Sequence, residues 1–186
     1  MRFFRVLFDI EKIAYPRCIK PSDAVGDPWL VILSDGSDTA YGFAAYARWK
    51  LQDGSHICRL IFAKCRIAPL NKVSTPQMEL NAAVLSKRGR KVIESEMRYK
   101  FEKVLHLVDS ETVLCMINKT STRFKLYYGV RLGEIQSATS GDVSCWAWMS
   151  GENNTADWLT RGKTPENLGP ESDWWNKDLL MKLISC

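Results

Sequence analysis

A mixed α/β sheet flanked by helices is the fold class predicted by this chain, on three observations. Apolar runs separated by turn signals fill residues 28–65, a proline-opened helical pattern starts at Thr75, and a second apolar run ends at Asp109 before helix-like residues. Strand-like runs, then a long segment of period 3.6, then another strand-like run make the pattern of a sheet with a helical crossover.

Residues 1–27 mix charged and apolar residues, carry Pro16 and Pro21, and read as a connector with one short helix. Trp29 to Leu33 is apolar at every position, as a strand buried on both faces must be. Gly36-Ser37 supplies a turn, and Tyr41, Phe43, Ala45, Ala47 and Trp49 then share one face of a second strand. Asp53-Gly54 is a hairpin signal leading to a third strand around Ile57 to Ala63, so the three strands form an antiparallel meander. Thr75 is expected to cap the long helix, with Pro76 at its first position. Met78, Ala82, Leu85, Gly89, Val92 or Ile93, and Met97 form its buried stripe, leaving Lys87, Arg88, Arg90 and Lys91 mainly on the other sides. A strand from Val104 to Asp109, helices over Ser110 to Ile117 and Arg123 to Ser137, a strand over Val143 to Met149 and a helix over Thr155 to Arg161 complete the order βββαβααβα. A right-handed crossover makes the first and fourth strands parallel neighbours, so the central strand pairs antiparallel on one side and parallel on the other.

Composition narrows the function classes. The 186 residues suffice for one domain with a real core, and the hydrophobic (46%) and charged (25%) shares are those of an ordinary globular protein. No apolar stretch reaches the 18 residues of a membrane span, and Arg5 and Asp9 break the apolar start, so it reads as non-secretory. Six cysteines without a C-x-x-C pair, with only His56 and His106, exclude a zinc cluster and suggest mostly buried thiols in a reducing compartment. The net charge of +5 is concentrated between Arg59 and Lys103, where eleven Lys/Arg stand against four Glu. Such an excess is most often a solvated face, and otherwise a surface that meets phosphates.

Four acids occupy element boundaries. Asp35 ends the first apolar run, Glu79 lies in the opening turn of the long helix, Asp109 ends the fourth strand, and Asp157 heads the last helix. Taken singly, each has a plainer explanation. Asp35-Gly36-Ser37 is a good turn, Glu79 and Asp157 are acids favoured by a helix dipole, and Asp109-Ser110 caps a helix. Taken together, Asp35 and Asp109 share the carboxyl edge of the sheet, where ligands bind in open α/β folds, and Glu79 leans over that edge. Carboxylates gathered there repel one another unless a cation neutralises them, and two magnesium ions would suit four of them.

At these residues the chain resembles the ribonuclease H domain of BEL/Pao-type retrotransposon polyproteins. The resemblance rests on Ile13-Ala14-Tyr15-Pro16-Arg17-Cys18, Ser34-Asp35-Gly36-Ser37-Asp38-Thr39-Ala40-Tyr41-Gly42, Ala63-Lys64-Cys65-Arg66-Ile67-Ala68-Pro69-Leu70 and Thr75-Pro76-Gln77-Met78-Glu79-Leu80-Asn81-Ala82-Ala83. Val108-Asp109-Ser110, Asn154-Thr155-Ala156-Asp157-Trp158-Leu159-Thr160-Arg161-Gly162 and Trp174-Trp175 continue it in order along nearly the whole chain. It implies a ribonuclease H-like fold, a five-stranded mixed sheet of order 3-2-1-4-5, over residues 28–162, followed by a tail over 163–186 with a Trp-Trp packing segment. It implies a metal site on Asp35, Glu79, Asp109 and Asp157, holding two Mg2+ for which Mn2+ substitutes. The implied reaction is hydrolysis of the RNA strand of RNA–DNA hybrids, leaving 5′-phosphate and 3′-hydroxyl ends. The implied partner besides the hybrid is a reverse transcriptase polymerase domain in a longer polyprotein, in the cytoplasm or virus-like particles, with nuclear access.

Ser37, Asn81 and Ser110, beside the acids, are expected at the hybrid's sugars, and Lys87, Arg88, Lys91 and Arg161 at phosphates. The chain departs from many ribonucleases H in having no histidine before the last acid, where Met149-Ser150-Gly151-Glu152 stands. It also reads as an excised or degenerate copy. Two other classes stay open: a non-catalytic module of this fold that binds hybrids or braces a polymerase, and another nuclease or transposase built on it.

Overall fold

Strand β1 (Ala24–Gly36) is the centre of a five-stranded sheet of order β3-β2-β1-β4-β5 in the computed structural model, which describes residues 8–71, 73–138 and 143–175. It pairs antiparallel with β2 (Ala40–Leu51) and parallel with β4 (Lys103–Val108); β3 (His56–Ile67) lies beyond β2, and β5 (Trp146–Trp148) lies parallel beside β4. This is the order expected for a ribonuclease H-like fold. Strand β1 starts at Ala24, inside the stretch read as connector, and a bulge between Val25 and Trp29 re-registers it. Residues 8–10 of that stretch are helical.

The sheet order follows from side-chain pattern. Leu30 to Leu33 are fully buried because β1 is covered on both faces. Leu30, Ile32, Phe43 and Ala45 face the long helix α1 (Thr75–Glu96) through its Leu85 and Ile93. Val31, Leu33, Ala44 and Tyr46 face the other way, with Leu107, Met149 and Ala156. The hairpin at Asp53-Gly54 forms as expected: Gly54 adopts φ +85° and Ser55 N–H donates to Asp53 Oδ1 at 2.8 Å.

Two details of α1 differ from expectation. Ser74 is the N-cap, with Thr75 and Pro76 inside the first turn, and Gln77 Oε1 accepts from the Ser74 backbone N–H at 3.0 Å. This reciprocal cap outcompetes Thr75 because Gln77 stands three residues after Ser74. The buried face is also wider than one stripe. It includes Leu80, Ala83, Val84, Ser86 and Lys87, while Val92 is exposed, because α3 (Leu126–Ala138) packs on the side left open to solvent in the single-stripe reading. Helix α2 (Glu111–Ile117) has Ser110 as N-cap, its hydroxyl accepting from Val113 N–H at 3.3 Å.

The last strand is three residues, shorter than the alternation over Val143 to Met149 suggested, and α4 (Asp157–Arg161) starts two residues later than expected. The tryptophans of the last strand, last helix and tail mostly pack against other rings. Trp146 is buried on His106, Trp158 stacks with Trp174, and Trp175 lies against Tyr15; only Trp148 is half exposed, its Nε1 donating to Asp109 O. Of the cysteines read as mostly buried, only Cys58 is, whereas Cys18, Cys65 and Cys115 are exposed and Cys145 is intermediate. Cys186 and the tail beyond residue 175 lie outside the described residues. No helix among the described residues is long and apolar enough to cross a membrane.

Candidate functional site

A cleft of about 650 Å3 opens at the carboxyl edge of the sheet, and Asp35, Glu79, Asp109, Thr160 and Arg161 line it with Ser37. Strand β1 delivers Asp35, β4 delivers Asp109, and the first turns of α1 deliver Glu79. Gly36 brings the strand and helix this close. A Cβ built on it would stand 2.4 Å from Met78 C and 2.5 Å from Glu79 N, both backbone atoms of α1. Gly151 lies beside Asp109, where a Cβ would make ordinary contact with Oδ2 at 3.4 Å.

Each acid has a neutral or cationic neighbour. The Thr160 hydroxyl donates to Asp35 Oδ2 in a short hydrogen bond. Ser110 stands near Glu79, and Asn154 near Asp109, and each favours the charged form of its neighbour. Asn154 is itself fixed, its Nδ2 donating to Ser34 O at 3.0 Å while its Oδ1 accepts from Ala156 N–H at 3.1 Å. It thereby ties β1 to the start of α4 beside Asp109. Asp157 pairs with Arg161 Nε at 2.5 Å.

Burial raises the pKa of Asp35, Glu79 and Asp109 above the ordinary carboxylate range. Thr160, Ser110 and Asn154 oppose that rise. Charge repulsion adds to it: Asp109 and Asp157 act on Asp35, Asp109 and Asp35 act on Glu79, and Asp157 acts on Asp109. The four acids therefore share one electrostatic neighbourhood, although Asp157 turns to Arg161 and does not line the cleft. Among the described residues, no three Asp, Glu, His or Cys side chains close into a metal cluster as they stand. By type and place the set suits a hard cation: oxygen donors only, on a polar cleft, bearing repulsion that a cation would relieve.

A folded-state pKa above the unfolded one means that the folded form binds the proton more tightly. Stability then falls as pH rises from the ordinary value, 3.8 for Asp35, through the raised one, and returns in acid. Asp35→Asn removes this burden, so its stability advantage over the native chain should be widest at neutral pH and close below about pH 4. Urea unfolding of both proteins across that range measures it; an advantage that does not change with pH would contradict the assignment.

Of the other residues singled out in the sequence, Ser37 lies on the cleft and Ser110 adjoins it. Asn81 does not. Two residues after Glu79, it points to a separate groove, where Tyr127 Oη and Arg131 Nε donate to its Oδ1 at 3.1 and 2.6 Å. Lys87 is a second correction. It is buried, 3.8 Å from Glu134, which Arg88 holds with two bonds of 2.7 Å. Both cations thus engage Glu134, Lys87 from a buried position and Arg88 from an exposed one, and Lys91 is exposed. Glu152 is exposed in the loop where many ribonucleases H have histidine. Thr160 and Asn154 had no assigned role in the sequence reading, although both lie in the Asn154–Gly162 motif. Their hydroxyl and amide donors spaced around Asp157 were the available signal.

A family model described as the Pao retrotransposon-like RNaseH-like domain matches residues 2–110, the span that carries Asp35, Glu79 and Asp109. The chain belongs to this family. The sheet order of this RNase H-like domain agrees with that membership. No curated protein matches the chain. Among solved structures, LC11-RNase H1 in complex with RNA/DNA hybrid is similar at 12% identity and a TM-score of 0.46, over 75% of this chain and 99% of that one. RNase H1 from Halobacterium salinarum is similar at 11% identity and a TM-score of 0.43, over 73% and 96%. The N-terminal RNase H domain of a Mycobacterium tuberculosis protein is similar at 15% identity and a TM-score of 0.43, over 72% and 91%.

Proposed function

We propose that this RNase H-like domain hydrolyses the RNA strand of RNA–DNA hybrids during retroelement reverse transcription, with divalent cations held by Asp35, Glu79, Asp109 and Asp157. The observation that carries the reading is the common cleft. Three half-buried or buried carboxylates from three different elements line it, and their neighbours offset their burial and mutual repulsion only in part. Bound Mg2+, or Mn2+ in its place, would supply charge for the phosphate oxygens and acidity for a water.

The chain's own residues do the rest. Thr160 engages one oxygen of Asp35 and leaves the other to the cleft. Ser110 and Asn154 favour the charged forms of Glu79 and Asp109, the forms that hold a cation. Arg161, on the cleft and paired with Asp157, can exchange that partner for a substrate phosphate. Ser37, Thr39 and Thr75 place hydroxyls along the cleft, where a ribose 2′-hydroxyl distinguishes RNA from DNA. Contacts of this kind position the backbone and carry little base preference. A polymerase domain of the same polyprotein is the partner this reading implies.

The purified chain, incubated with labelled hybrid, duplex DNA and duplex RNA, tests the proposal. Hydrolysis should be confined to the RNA of the hybrid, leave 3′-hydroxyl ends, and require Mg2+ or Mn2+. Cleavage in a chelator, or of duplex DNA alone, would contradict it. Mn2+ at about a hundred times its dissociation constant should also add about 2.7 kcal/mol to unfolding stability in the native chain, and much less in Asp35→Asn. A melting temperature unmoved by Mn2+ would sink that expectation.

A second reading, a hybrid-binding module without turnover, is favoured by one observation: Asp157 is engaged by Arg161 and the acids do not close into a cluster. Tight hybrid binding with no hydrolysis in Mn2+ would select it.

A further inference from the structure

We propose that a second cavity, at the opposite end of the sheet from the acids, binds a small phosphate-bearing anion through Arg48, Lys50 and His56. The cavity, of about 280 Å3, is lined by these three with Trp29, Asp27 and Glu102. Strand register puts them together. Trp29 pairs with Arg48 and also with Lys103, and Lys50 pairs with Val25 on one side and His56 on the other. The residues therefore sit on adjacent rungs across four strands. Trp29 packs against the cluster of Val31, Leu33 and Tyr46, on the sheet face away from α1.

Arg48 is the decisive residue. Only 7% of it is exposed, yet its Nε has no hydrogen-bond partner, and among the described residues it forms no ion pair. Its guanidinium lies 4.9 Å over the Trp29 ring, and the Lys103 ammonium lies 4.8 Å from the same ring. The Nε is shut off from water without a partner, a cost that the stacked indole offsets only in part. Nearby carboxylates do not meet the need, since Glu102 accepts from Trp29 Nε1 at 3.2 Å and, among the described residues, Asp27 makes no ion pair. The positive charges of Arg48 and Lys50 lower the pKa of His56 beyond the effect of its burial, so all three lie near one another.

A guanidinium fork, an ammonium and an imidazole converging on one small cavity match an oxyanion with several oxygens on one centre. Phosphate meets that description. The cavity, about 280 Å3, has room for a small anion rather than a nucleic-acid strand, although Asp27 and Glu102 also line it. The site is also remote from the acid cleft. Trp29 and Asp35 are six residues apart on one extended strand, roughly 20 Å.

Isothermal titration calorimetry of the full chain with inorganic phosphate and with pyrophosphate, at constant ionic strength, tests this. One saturable site per chain is expected. Arg48→Met should weaken it at least tenfold and, in phosphate-free buffer, melt no lower than the native chain. Lys50→Gln and His56→Gln, at accessible positions, should weaken it about threefold each and keep the test open if Arg48→Met fails to fold. Asp35→Asn should bind both anions as the native chain does, and the Arg48 and Lys50 variants should cleave hybrid at the native rate. Absence of saturable binding would overturn the proposal. So would binding unchanged in the Arg48 and Lys50 variants, binding lost in Asp35→Asn, or displacement of phosphate by a stoichiometric oligonucleotide.

Discussion

Asp35→Asn is expected to lower hydrolysis of an RNA–DNA hybrid by roughly a thousandfold or more while leaving the fold intact or more stable. Asp35 is the acid most enclosed by the site. It is 8% exposed, lies one residue before the end of the central strand, and carries the Thr160 hydrogen bond as well as the repulsion of Asp109 and Asp157. Asparagine has nearly the same shape, and its carbonyl can still accept from Thr160. It loses the negative charge that would hold a divalent cation at the site. The same loss relieves the folded protein of a buried anion, so activity and stability should move in opposite directions. Single-turnover cleavage beside thermal melting measures both. A variant that cleaves normally in Mg2+ would remove Asp35 from the site, and one that unfolds would assign it a structural role.

The second large effect is expected at Gly36. Gly36→Ala should cost about 3 kcal/mol or more and depress cleavage in whatever protein remains folded. The three atoms nearest the new methyl group all belong to the Met78–Glu79 backbone, 2.4 to 2.5 Å away, so no rotamer change can make room. The strand must move from the helix, and that separation parts Asp35 from Glu79. Gly54→Ala is the control. Its φ of +85° makes alanine costly by about 1 kcal/mol, but no atom lies within 4 Å and the hairpin is far from the acids, so cleavage should persist. Urea unfolding with activity measured on the folded fraction separates the two. Equal activity losses in both variants would mean that Gly36 acts only through stability.

The legible part of the fold was the part written in local pattern. The double-sided apolar run of β1, the Asp53-Gly54 hairpin and the Pro-opened helix specify a meander and crossover, and chirality leaves few ways to join them. The less legible parts depend on partners distant in sequence. The burial of Lys87 needs α3 to bring Glu134, and nothing around residue 87 announces that. Asn81, two residues from Glu79, looks adjacent in sequence, but on a helix a two-residue step turns a side chain by about 200°, so it faces Arg131 instead. Among the site residues, the acids stood out because each lies at or near an element boundary. Thr160 and Asn154 did not, since a buried donor to a carboxylate is visible only once β1 and α4 lie side by side. The brevity of β5 has a similar origin: alternation over Val143 to Met149 continues beyond the three residues that find pairing partners on β4.

The central claim is that these carboxylates seat divalent cations, and anomalous diffraction from crystals soaked in Mn2+ tests it most directly. The account predicts density in the cleft about 2.1 Å from carboxylate oxygens of Asp35 and at least one of Glu79 and Asp109, absent from Asp35→Asn crystals. A cleft without anomalous density at saturating Mn2+, in crystals whose lattice leaves it open, would contradict it.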